Sequence, residues 1–106
     1  MAGVHKHATA KRDLIEHFVY LAEEAGIETA ERFLQNAEST FCDLSMHREI
    51  GVGLSLLEPK LTGLRRWHIK GFESFLVFYL SRTDGVTVVR VLHASRDWWG
   101  MFGISS

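Results

Sequence analysis

Polar and apolar positions along this chain follow two different periods, and the change falls near the middle. In the first half, apolar residues recur at steps of three and four, the spacing of one helix face. Leu14, Phe18, Leu21, Ala22 and Ala25 form one such stripe, and Gly26 stands where a helix ends on a C′ glycine. Asp13 fits the N-cap or first turn of that helix, with Glu16 following in capping-box spacing. A second stripe begins at once: Ile27, Ala30, Phe33, Leu34, Ala37, Phe41 and Leu44. Glu28, Glu31, Arg32, Gln35 and Glu38 fall off it. The pattern predicts two helices joined in a tight hairpin. Upstream, Val4 to Ala10 alternates weakly and reads as a short edge strand with His5 and His7 on one face.

The second half reads as strands. Ser45 to Gly63 is broken by Gly51, Gly53, Pro59 and Gly63 and is expected to be a loop with short elements. It has room for an extension of the second helix or a helical turn around Ser55 to Leu57. Leu64 to Lys70 is a first strand, and Ser74 to Ser81, rich in Phe, Val, Tyr and Leu, a second one buried on both faces. Asp84-Gly85 is a hairpin signal, and Val86 to Leu92 is a third strand. Short connections predict an antiparallel meander. The expected fold is α+β: an N-terminal helix hairpin packed in two layers on a small, mainly antiparallel sheet, with residues 1–106 as a single domain.

Composition changes this picture little. A chain of 106 residues, 46% hydrophobic and 24% charged, is ordinary for one small globular domain. The single Cys42 excludes a disulfide within the chain and reads as a small core residue on a helix face. Met1 to Arg12 has no apolar run and does not read as a signal peptide. No window approaches the ~20 apolar residues of a membrane span, so a cytoplasmic location is the default.

Charge does change it. Residues 1–58 carry five Lys/Arg and ten Asp/Glu, whereas residues 59–106 carry seven and three. The second half therefore presents basic residues to an acidic partner, a nucleic acid or an acidic protein segment, unless the two halves neutralise each other across the fold.

The candidate chemistry lies in that basic half. Nucleotide-binding glycine loops, zinc-helix motifs and paired cysteines are all missing, and no cofactor is expected. His5 and His7 are two ligands at most and read as solvated, so no metal is expected. Ser95 and Asp97 lie too close to His93 in sequence for a serine triad. Arg65, Arg66, Lys70, Arg90 and Arg96 lie on or beside strands, with Arg66 and Lys70 expected on one face and Arg65 on the other. Cations on a strand face clamp phosphates, and a His at a strand end can exchange protons near neutral pH. The set Arg65, Arg66, Arg90, His93 and Arg96 would thus fit metal-independent RNA cleavage. The same residues fit a structural role, with Arg90 or Arg96 paired to Asp97 and His93 packed in a corner. Trp98-Trp99-Gly100-Met101-Phe102 is a strongly apolar run, in which one Trp is expected to pack and the other to meet a partner. Arg66, Lys70, Trp98, Trp99 and Phe102 are the candidates for antitoxin or target contact, in the sense given next.

The ordered set of motifs resembles the ParE/RelE toxin superfamily, and within it the ParE-like plasmid-stabilisation branch. The resemblance runs from about Ala10 to Asp97. It rests on Ala10-x-x-Asp13-Leu14, on Leu64-Arg65-Arg66-Trp67 leading to Gly71-Phe72, and on Phe75-Leu76-Val77-Phe78-Tyr79. It closes on Arg90-Val91-Leu92-His93-Ala94-Ser95-Arg96-Asp97, similar to the family's Arg-Val-Leu-His-Gly-x-Arg-Asp, with Ala94 in place of Gly. The resemblance implies a growth-inhibiting toxin of a type II toxin–antitoxin system. Its partner would be a cognate antitoxin with a ribbon-helix-helix DNA-binding domain and a disordered tail that folds on the toxin. ParE-like members inhibit DNA gyrase; RelE-like members cut mRNA in the ribosome with basic residues and no metal. A pI near 6.6 and the lack of a catalytic residue after Arg96 favour the gyrase inhibitor. The alternatives are a ribosome-dependent mRNA endonuclease and an inactive toxin-like binding module.

Overall fold

The computed structural model describes residues 3–54, 62–96 and 98. The expected turn at Ser55 to Leu57, together with Asp97, Trp99 and Phe102, lies outside them. The elements run β1 (Gly3–Lys6), α1 (Ala8–Ala25), α2 (Ile27–Met46), β2 (Val52–Gly53), β3 (Arg65–Ile69), β4 (Phe72–Arg82) and β5 (Gly85–His93). The five strands form one sheet in the order β1-β5-β4-β3-β2, antiparallel except where β1 runs parallel to β5.

The helix hairpin forms as the apolar periodicity requires. Gly26, at φ 98°, turns the chain between α1 and α2, a backbone conformation costly for any residue with a Cβ. Ala30, Phe33, Ala37, Phe41 and Leu44 of α2 are fully buried against Val77, Tyr79, Val88 and Val91 of the sheet. Ile27 is half-exposed, because it starts the first turn beside Gly26 at the tip of the hairpin. Cys42 is also exposed, contrary to expectation. Successive helix residues are about 100° apart, so one step past Phe41 places Cys42 in the solvent-facing row of Gln35 and Glu38.

The helix α1 starts earlier than its apolar stripe suggested. His7 occupies the N-cap, and Asp13 is a buried residue inside the helix rather than its cap. Strand β1 matches the weak alternation near the start, and it docks where Gly85 lets it: a Cβ at Gly85 would overlap the Gly3 backbone.

Strand β4 is buried from Phe75 to Leu80, as its composition implied. Phe75, Val77 and Tyr79 join the cluster under the helices. Leu76, Phe78 and Leu80 join Leu64, Val89, Leu92 and Trp98 on the opposite face. The sheet is thus apolar on both sides, which explains a strand with no polar alternation.

Strand β5 carries an irregularity that organises one edge. Tyr79 pairs with Val88 and Phe78 with Arg90, so Val89 is an extra residue. Past Lys6, β1 no longer covers β5, and α1 takes over. Thr9 Oγ1 donates to the Val89 carbonyl at 3.4 Å, Asp13 Oδ2 accepts the Val91 N–H at 3.0 Å, and His17 Nε2 donates to the Val91 carbonyl at 2.7 Å. These three side chains recur every four residues, one stripe of α1, and replace the missing strand.

Candidate functional site

The basic residues singled out in the sequence do not converge. Arg65 lies opposite Tyr79, and its Nη1 donates to the carbonyls of Gly51 (2.7 Å) and Glu49 (3.3 Å). It holds the loop after α2 against the sheet. Arg66 lies opposite Phe78, and its guanidinium sits 5.6 Å from the Trp98 ring on the face away from the helices. Among the described residues its buried Nε has no hydrogen-bond partner, and the ring face offers the guanidinium partial compensation. Lys70 reaches the helix side instead, with Nζ 2.9 Å from Asp43 and 3.2 Å from Ser39 Oγ. The expectation that Arg66 and Lys70 share a face fails because β3 ends at Ile69 and Lys70 lies in the turn to β4, where strand alternation no longer fixes its direction.

Arg90 is committed to the fold. Its Nε and Nη2 donate to the two oxygens of Asp13 at 2.7 and 3.0 Å, a bidentate pair with Asp13 almost fully buried. That hydrogen-bonded carboxylate raises the Arg90 pKa further, against the opposing effect of burial. The carboxylate partner of Arg90 is therefore Asp13, from α1, where the sequence suggested Asp97. Trp98 is buried against Phe78, ring centroids 5.3 Å apart.

His93 and Arg96 remain at the end of β5. The Arg96 N–H donates to the His93 carbonyl at 3.0 Å, and the Arg96 side chain is exposed with no salt bridge among the described residues. Ser95 N–H lies 3.1 Å and Ser95 Oγ 2.8 Å from His93 Nδ1. A backbone N–H only donates, so Nδ1 accepts, and the neutral ring carries its proton on Nε2. His93 therefore presents a donor, not the lone pair a general base needs. Its ring packs edge-on against Phe75, which packs likewise against His17.

His93 lines a cleft of about 460 Å³ between α1 and the start of β4. Leu21, Phe72 and Phe75 form its apolar lining, and Tyr20, Glu73 and His93 supply polar groups. Arg65 lies four residues away along β4, from the Phe75 row to the Tyr79 row, or about 13 Å at a strand's rise of ~3.3 Å per residue. Sequence reading missed this cleft. Tyr20 and Glu73 carry no motif, and only the packing of α1 beside the strand ends brings them to His93.

The chain matches the family model of the ParE toxin of the type II toxin–antitoxin system parDE over residues 4–98. Among solved structures, it resembles the chromosomal ParDE toxin–antitoxin system from P. aeruginosa, with a TM-score of 0.69 and 17% identity. That match covers 88% of this chain and 96% of the other. A conserved hypothetical protein from Helicobacter pylori, solved in solution, aligns at a TM-score of 0.49 and 17% identity, over 91% of this chain and 98% of that one. No curated protein matches the sequence. With a family model spanning most of its length, the chain belongs to the ParE toxin family of type II toxin–antitoxin systems.

Proposed function

We propose that this ParE-family toxin acts in the cytoplasm by binding DNA gyrase and inhibiting it, and that a cognate antitoxin with a ribbon-helix-helix domain and a disordered tail neutralises it. The observation that carries the reading is the dispersal of the cations. Arg65 is spent on a loop, Arg66 on Trp98, Lys70 on α2 and Arg90 on Asp13. Cleavage of a phosphodiester needs several of them around one phosphate. Inhibition by contact needs only a surface. Purified toxin at micromolar concentration should block supercoiling by gyrase and accumulate cleaved-DNA complexes. Normal supercoiling without such complexes would overturn the assignment.

A second reading, a ribosome-dependent mRNA endonuclease, is favoured by one feature: His93 and Arg96, which has no salt bridge among the described residues, share a turn. On that reading the double variant His93→Ala, Arg96→Ala folds normally and loses all growth arrest. On the gyrase reading it keeps most of its toxicity.

A further inference from the structure

We infer that the cleft between Tyr20 and His93 docks a segment of a partner protein that presents a lysine or arginine beside a large aliphatic or aromatic residue. The inference goes beyond the gyrase reading and does not depend on it.

From His17 to Glu31 the chain has four glutamates, Glu23, Glu24, Glu28 and Glu31, and neither Lys nor Arg. None of these makes a salt bridge among the described residues, and neither does Glu73 on the cleft wall. Arg32 follows Glu31 in sequence, and Lys70, the other cation near Glu73, is paired with Asp43. Such a surface repels phosphate, so a nucleic acid is the wrong occupant, and it raises the local concentration of a cationic segment.

Apolar groups are exposed beside the same cleft. Tyr20 is 58% exposed at the cleft mouth, Val19 48% beside it, and Ile27 52% at the hairpin tip. Acidic side chains interleaved with exposed aliphatic and aromatic groups match a segment that alternates basic and large apolar residues. The chemistry already has one example in the molecule. The Arg32 guanidinium lies 5.6 Å from the Phe72 ring centroid, so the ring that lines the cleft accepts a cation over its face. A lysine or arginine stem laid along Phe72 and Phe75 would bring its head group to Glu73. The His93 Nε2–H and the Tyr20 hydroxyl would then be available to backbone carbonyls of the segment.

The test uses the full chain, uniformly labelled with nitrogen-15, and a short amphipathic peptide of leucine and lysine. A peptide with glutamate for every lysine is the control. At about 150 mM salt, where charges more than ~8 Å apart are screened, the lysine peptide should shift the amides of Tyr20, Phe72, Glu73, Ser74 and His93, and the glutamate peptide should not. Glu73→Lys should weaken binding about tenfold, and Tyr20→Ala similarly, as expected for an anchor contact. Both side chains are exposed, so the folded spectrum should persist. Equal binding of the two peptides, shifts centred elsewhere, or full affinity in both variants would each overturn the proposal. So would shifts of these amides with toxin concentration alone, which would make the occupant a second copy, or with a single-stranded oligonucleotide.

Discussion

Tyr79 shows how a single residue can hold a role that its sequence context hides. Its neighbours are all apolar, and the strand reads as continuous core. Yet its hydroxyl accepts the Gly51 N–H and donates to the Arg48 carbonyl, both at 2.9 Å. One phenol therefore pins the loop after α2 to the middle of the sheet. Burial pushes its pKa up, against the lowering effects of the Gly51 N–H and the Arg65 charge. The folded state thus favours the protonated phenol. Its contribution is complete below the ordinary tyrosine value of about 10 and is lost as pH rises through the higher folded value. Tyr79→Phe should cost about 1–3 kcal/mol near neutrality, because the Gly51 N–H and the Arg48 carbonyl lose their partner. The variant should also lose less stability than the parent above about pH 10. Urea unfolding at neutral and alkaline pH measures both effects; parallel alkaline losses in the two proteins would contradict the assignment.

At the scale of elements, periodicity was enough to read the hairpin and the meander, and it failed wherever a strand departed from regularity. The bulge at Val89 and the register shift after His68 leave no mark in the hydrophobic pattern. Arg90 follows the bulge and meets Asp13, and Lys70, in the turn beyond β3, meets Asp43. Thr9, Asp13 and His17 were hidden for a related reason. Polar residues on a helix flank read as solvated or as caps, because the sequence does not show that a strand edge lies beneath them. Of the three, Asp13 has most at stake, since it holds a bidentate arginine and a backbone N–H. Asp13→Ala strands a guanidinium and an N–H together, and should cost about 3–5 kcal/mol. Replacing Arg90 by Leu in the same chain should recover part of that loss, since no buried charge is then left alone. The comparison is a double-mutant cycle by urea unfolding. A cost below about 1 kcal/mol for Asp13→Ala would mean that the helix covers this edge without stabilising it.

Across the whole molecule, the split of charge between the two halves survives folding only in part. Three salt bridges join distant parts of the chain among the described residues, and one of them, Lys70–Asp43, uses two exposed groups and is worth at most about 1 kcal/mol. Among the described residues, Arg48, Arg82 and Arg96 have no carboxylate partner. Arg48 donates to the Arg82 carbonyl and Arg82 Nε to Thr87 Oγ1, which orders both guanidinium groups without neutralising them. The hairpin tip is left acidic in the same way, by Glu23, Glu24, Glu28 and Glu31. The molecule therefore offers two surfaces of opposite sign, and the acidic residues of an antitoxin tail should be drawn to the arginines. That attraction acts on encounter more than on the final complex. Raising salt from about 50 to about 500 mM shortens the screening length from roughly 14 to roughly 4 Å. The association rate of the antitoxin tail should then fall about tenfold while dissociation changes little. Arg82→Glu together with Arg96→Glu should reproduce most of that fall at low salt. Stopped-flow or surface-binding kinetics separate the two rates, and an association rate indifferent to salt would show that shape and apolar contact, rather than charge, bring the tail to the toxin.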